Sequence, residues 1–184
     1  MCGIVTIYHF GDDSGTVNAE ELRTIRDHMA RRGPDGAGQW VSDDARIGMG
    51  HRRLSIIDLS EAAAQPMRSY DDRYHLVFNG EIYNYKELKQ ELFEAGYRFF
   101  SSSDTEVIMC GFHRWGTEIV HKLRGMFAFA IWDEREQRLF VARDPYGIKP
   151  LYYTKQRGVI RIASQVKALL AGGRVSRTES PAGV

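Results

Sequence analysis

The segment Met126-Phe127-Ala128-Phe129-Ala130-Ile131-Trp132-Asp133 is apolar at every position but the last. A strand turns successive side chains to opposite faces, so a run without polar alternation is apolar on both. Such a strand reads as buried on both faces, and a sheet covered on both sides explains it. A short charged turn follows, then Arg138-Leu139-Phe140-Val141-Ala142-Arg143 as the expected hairpin partner.

The rest of the chain is read against that buried strand. Further strands are expected at Gly3 to Tyr8, Ala37 to Val41, Ile47 to Gly50, Tyr74 to Phe78, Leu151 to Thr154 and Val159 to Ala163. A first helix starts at an Asn18 cap, carries Leu22, Ile25, Met29 and Ala30 at helical spacing, and ends near Arg31. A second spans Tyr85 to Ala95, with Leu88 and Leu92 on one face and Gly96 as its stop. A third covers Val107 to Trp115, capped by Ser103 or Asp104, and a short one covers Gln165 to Ala171. Gly11-Asp12-Asp13-Ser14-Gly15 and residues 60–73 read as loops. Strands in hairpin-like succession, with helices grouped between and after them, give an α+β layered domain with mostly antiparallel sheets.

At 184 residues the chain is one domain, 1–173, followed by a polar stretch, 174–184, expected to be a linker or the cut start of a further domain. A formal net charge of +1 gives no electrostatic reason to expect nucleic acid or an anionic membrane surface. No stretch approaches the roughly 18–20 apolar residues that span a bilayer, and residues 1–20 lack the pattern of a signal peptide. Two cysteines, Cys2 and Cys110, point to a reducing, cytoplasmic setting. The six histidines show no metal-ligand spacing.

Cys2 is the first candidate for chemistry. If Met1 is removed, its thiol and a free α-amine share one residue. An α-amine with a pKa of about 7.7–8.0 is partly neutral near pH 7 and serves as a base for the thiol. The competing reading is a terminal cysteine packed as a small hydrophobe. Three further positions carry a similar double reading. Arg53 is a carboxylate clamp or a solvated surface charge. Asn79-Gly80 offers a side-chain amide beside an approachable backbone N–H, the makings of an oxyanion hole, or else a hairpin turn. Asp104 is a helix cap or a ligand for an ammonium group. The loop Arg32-Gly33-Pro34-Asp35-Gly36 is a plain helix stop or a loop folded close to the N-terminal strand.

Six segments then occur in order: Met1-Cys2-Gly3-Ile4, Arg32 to Gly36, His51-Arg52-Arg53-Leu54-Ser55-Ile56-Ile57-Asp58, Asn79-Gly80-Glu81-Ile82-Tyr83-Asn84, Ser103-Asp104-Thr105-Glu106, and Arg143 to Tyr153. Together they resemble the N-terminal glutaminase domain of glutamine-hydrolysing asparagine synthetases, a class II glutamine amidotransferase. The likeness covers about Cys2 to Gly173. It implies a four-layer αββα sandwich of the N-terminal-nucleophile hydrolase type. It implies that Cys2 attacks the side-chain amide of L-glutamine, that Asn79 and the Gly80 N–H hold the oxyanion, and that a thioester is then hydrolysed. It further implies that Arg53 clamps the substrate carboxylate, that the backbone of Leu54, Ile56 and Ile57 lines the pocket, and that Glu81 and Asp104 bind the ammonium. No cofactor or metal is expected for this chemistry. ATP and Mg2+ are expected for a synthetase domain, absent here, that would use the ammonia to make asparagine. A homodimer is among the assemblies the resemblance allows. Gln165 stands where this family usually has Glu, outside the pocket residues. A related amidotransferase with another acceptor, or a non-catalytic domain that keeps the fold, are the alternatives.

Overall fold

A computed structural model describes residues 1–11 and 15–178. The expected loop through Asp12, Asp13 and Ser14, and residues 179–184 of the expected linker, lie outside the described residues. In chain order the elements are β1 (Gly3–His9), α1 (Ala19–His28), β2 (Gly36–Val41), β3 (Ile47–Arg53), β4 (Met67–Arg68), β5 (Tyr74–Ile82), α2 (Tyr85–Glu94) and α3 (Asp104–Trp115). They continue as α4 (Ile119–Lys122), β6 (Gly125–Asp133), β7 (Arg138–Arg143), β8 (Tyr152–Gln156), β9 (Val159–Ala163) and α5 (Val166–Ala171).

Two sheets form, one ordered β2-β3-β1-β9-β8 and the other β4-β5-β6-β7. Every pairing in them is antiparallel. Three apolar clusters show how they stack. Val5 and Ile7 of β1 pack with Leu22 and Ile25 of α1 and Leu169 of α5. Ile4, Ile47 and Met49 meet Val77, Ala128, Ala130 and Trp132 between the sheets. Phe78, Ile82, Phe127, Phe129 and Ile131 pack under Leu88 and Leu92 of α2 and Val107 and Ile108 of α3. The result is the expected αββα sandwich.

β6 explains the spacing of the layers. Phe127, Phe129 and Ile131 face the helices, while Ala128 and Ala130 face the opposite sheet. The small Ala128 and Ala130 leave room for the opposite sheet at the middle of that face, and Trp132 fills the space between the sheets toward the end of the strand. Phe129 is fully buried, and its truncation to Ala would cost about 3–5 kcal/mol.

The helix starts follow their caps. Asn18 Oδ1 accepts the Glu21 N–H at 2.9 Å. Ser103, rather than Asp104, caps α3, accepting the Glu106 N–H. That choice leaves the Asp104 carboxylate available for other work. Three sequence-based boundaries are corrected. β3 runs past Gly50 to Arg53, because Arg52 pairs with both Gly3 and Ala37 and Arg53 with Gly36. β5 runs past Phe78 to Ile82, so Asn79-Gly80 is strand and not a hairpin turn. Its nine residues pair with all nine of β6, and that long ladder overrides the local turn preference of Asn-Gly. Within residues 60–73, expected to be loop, Met67-Arg68 forms β4 against Leu76 and His75. α4 had no expected counterpart. Among the described residues no helix is long and apolar enough to cross a membrane.

Candidate active site

β1 and β3 are antiparallel, so Gly3 lies opposite Arg52. This puts Cys2, just before β1, beside Arg53 and Leu54 at the end of β3. A cavity of about 240 Å³ opens there. Cys2, Arg53, Leu54, Ile56, Ile57, Asn79, Gly80, Glu81 and Asp104 all line it. The sequence-predicted site residues, far apart in the chain, therefore share one cavity.

The Cys2 Sγ accepts the Leu54 N–H at 3.4 Å and lies 3.7 Å from the Leu54 carbonyl oxygen. Burial pushes the thiol pKa up, opposed by the Leu54 hydrogen bond and by positive charge from the chain N-terminus, Lys149 and Arg53. A thiol so placed is mostly protonated near neutral pH and needs a base. The Arg32 Nε donates to the Cys2 carbonyl oxygen at 2.9 Å. The Arg32 to Gly36 loop is thus folded against the N-terminal strand. Gly33 permits this contact: a Cβ there would lie 2.3 Å from the Arg52 backbone.

Register decides which groups of β5 face the cavity. The Tyr83 N–H bonds to Arg124 and the Glu134 N–H to Arg73, so odd-numbered β5 residues direct their N–H and C=O toward β6. Residues 78, 80 and 82 direct theirs the other way. β4 is two residues long and covers that edge only at Leu76 and His75. Side chains cap the flanks beyond it. Gln65 Oε1 accepts the Phe78 N–H at 2.6 Å, and Asp104 Oδ2 accepts the Ile82 N–H at 3.0 Å. The Gly80 N–H between them faces the cavity. A Cβ at Gly80 would sit 2.4 Å from the Met126 carbonyl oxygen and 2.5 Å from the Phe78 ring, so a side chain cannot fit without displacing β6.

Asn79 shares the inner face of β5 with Val77, turned toward β1. It is 1% exposed, and its Nδ2 is buried without a hydrogen-bond partner. An orphaned buried donor costs about 1–3 kcal/mol. Asn79 and Gly80 line the same cavity, so an unpartnered side-chain donor and a backbone N–H lie next to each other in the chain there. Asp104 is 5% exposed, and burial pushes its carboxyl up to about 6. Arg53 donates from Nη1 to the Ser60 carbonyl at 3.0 Å and from Nη2 to the Asp58 carbonyl. Two bonds leave three of its N–H donors unspent by these contacts.

Several site residues escaped sequence reasoning. Asp58 staples the loop after β3 to the approach to α3: Oδ1 accepts from Ser60 N at 2.9 Å, and Oδ2 from Ser102 N and Oγ, both at 2.9 Å. The Ser60 and Ser102 hydrogen bonds hold its carboxyl well below the usual carboxylate range. Lys149, 6% exposed, reaches the cavity from a loop fixed by Asp144, which accepts both the Ile148 and Lys149 N–H groups. The two prolines of that loop were the visible signal of rigidity; nothing in the sequence said where it folds. His51 is buried between the sheets, and burial lowers its pKa to about 3, so it is neutral. Its Nε2 lies 3.2 Å from the Phe78 carbonyl oxygen and donates to it. Cys2 and Cys110 are both free thiols, and burial pushes Cys110 up to about 12. Among the described residues no three His, Cys, Asp or Glu side chains converge as a metal site.

The chain is similar to known proteins over nearly its whole length. The family described as "Glutamine amidotransferase domain" matches residues 1–183. The chain is 44% identical over 171 residues to asparagine synthetase [glutamine-hydrolyzing] 1 of Bacillus subtilis (strain 168), covering 92% of this chain and 27% of that protein. It is 42% identical over 181 residues to amidase chry2 of Gibberella zeae, covering 94% of this chain and again 27% of the relative. The chain thus spans about a quarter of the length of these relatives. Among solved structures, the glutamine phosphoribosylpyrophosphate amidotransferase of B. subtilis superposes with a TM-score of 0.76 at 26% identity, over 94% of this chain and 44% of that one. The chain belongs to the glutamine amidotransferase domain family.

Proposed function

We propose that the domain hydrolyses the side-chain amide of L-glutamine to glutamate and ammonia, with Cys2 as nucleophile and its own α-amine as base. The observation that carries this is the orphaned Asn79 Nδ2, next to the inward Gly80 N–H, in the cavity that holds the Cys2 thiol. While Met1 is attached, the Cys2 nitrogen is a peptide amide with no basic lone pair, so the working form begins at Cys2.

The neutral α-amine takes the thiol proton. The sulfur forms a bond to the amide carbon, and the carbonyl π pair moves onto oxygen. Asn79 and the Gly80 N–H bind that oxyanion, a contribution typically of 10²–10³-fold per donor. When the oxyanion collapses, the C–N bond breaks, and the departing nitrogen takes the proton held by the α-ammonium and leaves as ammonia. Water attacks the thioester, its proton passing to the amine, and a second collapse breaks the C–S bond. The thiol recovers its proton and glutamate departs. Arg53 pairs with the substrate α-carboxylate, and Glu81 and Asp104 pair with its α-ammonium. One cation and two carboxylates complement a zwitterion. Backbone of Leu54, Ile56 and Ile57 forms the wall. The thiol and amine supply all the chemistry, so no cofactor is called for.

The similarity to a glutamine-hydrolysing asparagine synthetase supports asparagine formation as the use of the ammonia. A synthetase region of a longer protein that uses ATP and Mg2+, in a reducing cytoplasm, belongs to the same proposal. The similarity to amidase chry2 favours a second reading with a different acceptor. Asparagine formation from aspartate, ATP and glutamine by the whole protein separates the two. For the domain, glutamate release from glutamine is measured for the wild type and Cys2→Ala. Activity that Cys2→Ala abolishes is expected; equal inactivity of both, with Met1 correctly removed, overturns the reading.

A further inference from the structure

The oxyanion-binding edge of β5 is unusual in being open and yet nearly full. Between Phe78 and Ile82 three backbone N–H groups face away from β6, and the outer two are capped by side chains, Gln65 and Asp104. An uncapped N–H at Phe78 would be a second anion site one strand repeat, about 6–7 Å, from Gly80. It would also be a buried orphan donor, costing about 1–3 kcal/mol, and the strand would shift to find it a partner.

Gln65 prevents both. Its Oε1 accepts the Phe78 N–H at 2.6 Å, and its Nε2 donates to Thr105 Oγ1 at 3.3 Å, in the first turn of α3 beside Asp104. The amide therefore spans from the strand edge to the helix that caps the other flank. Its own backbone is fixed from behind, where a Cβ on Gly38 of β2 would lie 1.9 Å from the Gln65 carbonyl oxygen. From the other side His51 ties the Phe78 carbonyl to β3. Phe78, the residue before Asn79, is thus held at both its backbone N–H and its carbonyl, and Gln65 itself lines the cavity.

We infer that Gln65 is a positioning residue for the oxyanion hole: it occupies the Phe78 N–H and holds the strand so that Asn79 and the Gly80 N–H converge on one oxygen. This rests on the glutaminase reading above. Oxyanion donors act at the transition state, where a misplacement of about 1 Å costs on the order of 10²-fold in rate. They contribute little to binding planar ground states.

The test compares wild type, Gln65→Leu and Thr105→Val. The latter removes the far anchor of the Gln65 amide and leaves the strand contact in place. Three readouts are taken: kcat and KM for glutamine, affinity for the γ-aldehyde analogue of glutamine, and affinity for glutamate. The aldehyde adds Cys2 and presents a tetrahedral oxygen; glutamate does not. Gln65→Leu is expected to lower kcat and aldehyde affinity about 10–100-fold together, with KM and glutamate affinity within about twofold. Thr105→Val is expected to show a smaller loss with the same split. Unchanged kcat and aldehyde affinity in Gln65→Leu overturns the inference. So does a uniform loss that includes glutamate affinity, because that pattern marks a general collapse of the pocket. A wild type that releases no glutamate fails the glutaminase reading instead, so the two failures are distinct.

Discussion

Placing the α-ammonium of glutamine beside Asp104, as proposed, predicts a pH dependence of glutamine affinity that can be calculated. Burial pushes its carboxyl up to about 6, so in the empty pocket it is largely neutral at pH 5 and largely ionised at pH 7. The α-ammonium of glutamine favours the ionised form and lowers the pKa in the complex. Binding at pH 5 must therefore first drive a proton off. With a free pKa of about 6 and a bound pKa well below 5, the dissociation constant weakens about tenfold between pH 7 and pH 5, or about 1.4 kcal/mol. The substrate's own carboxyl and amine keep their charges over that interval. Titration calorimetry of Cys2→Ala isolates binding from chemistry. Repeating it at pH 6 in buffers of different ionisation enthalpy counts the proton released. A constant affinity from pH 5 to 7, with no proton release, would refute the placement of the ammonium beside Asp104. So would an unchanged slope in a Cys2→Ala, Asp104→Asn double variant.

The same shift acts on the ligand-free fold. Asp104 has a folded pKa of about 6 against an ordinary 3.8, so stability falls as pH rises from 3.8 to 6, by about 3 kcal/mol in all. Asp104→Asn keeps an oxygen for the Ile82 N–H, and its melting temperature is expected to exceed wild type at pH 8 but not at pH 3.5. Asn79→Ala should lower kcat about 10²–10³-fold with a smaller change in KM, whereas Arg53→Ala should chiefly raise KM; steady-state kinetics read both, and an exchange of the two patterns would reverse the assigned roles. Lys149→Met removes a cation that favours the Cys2 thiolate, so the pH profile of Cys2 alkylation by iodoacetamide should move to higher pH. Cys110, pushed up to about 12, stays silent in that assay, and a superimposable profile would contradict the electrostatic role.

A layered α+β domain with mostly antiparallel sheets was legible because β6 is apolar on both faces and the flanking segments carry helical periodicity; the four-layer αββα order followed from the family resemblance. Cys2, Arg53, Asn79, Gly80 and Asp104 each carried two local readings, and their place within the six motifs of the family resemblance, rather than residue type alone, pointed to one chemistry. What stayed hidden was set by long-range pairing. Asn-Gly reads locally as a turn, and only the full β6 ladder keeps it in a strand. Gln65 lies in a segment with no periodicity, and its function depends on Phe78 being an edge residue that β4 is too short to cover. Asp58 and Lys149 likewise sit in loops whose partners, Ser102 and Cys2, are distant in sequence. Asp104 carried a local ambiguity that Ser103 resolved by taking the cap.

The central claim is that Cys2, with a free α-amine, is the nucleophile. Its most direct measurement is intact-protein and peptide mass spectrometry of an active preparation after labelling with a γ-diazoketone analogue of glutamine. The account predicts loss of activity in step with one adduct per chain, on Cys2, in a chain that begins at Cys2. Full activity from a species that retains Met1, or inactivation with the adduct on Cys110, would contradict it.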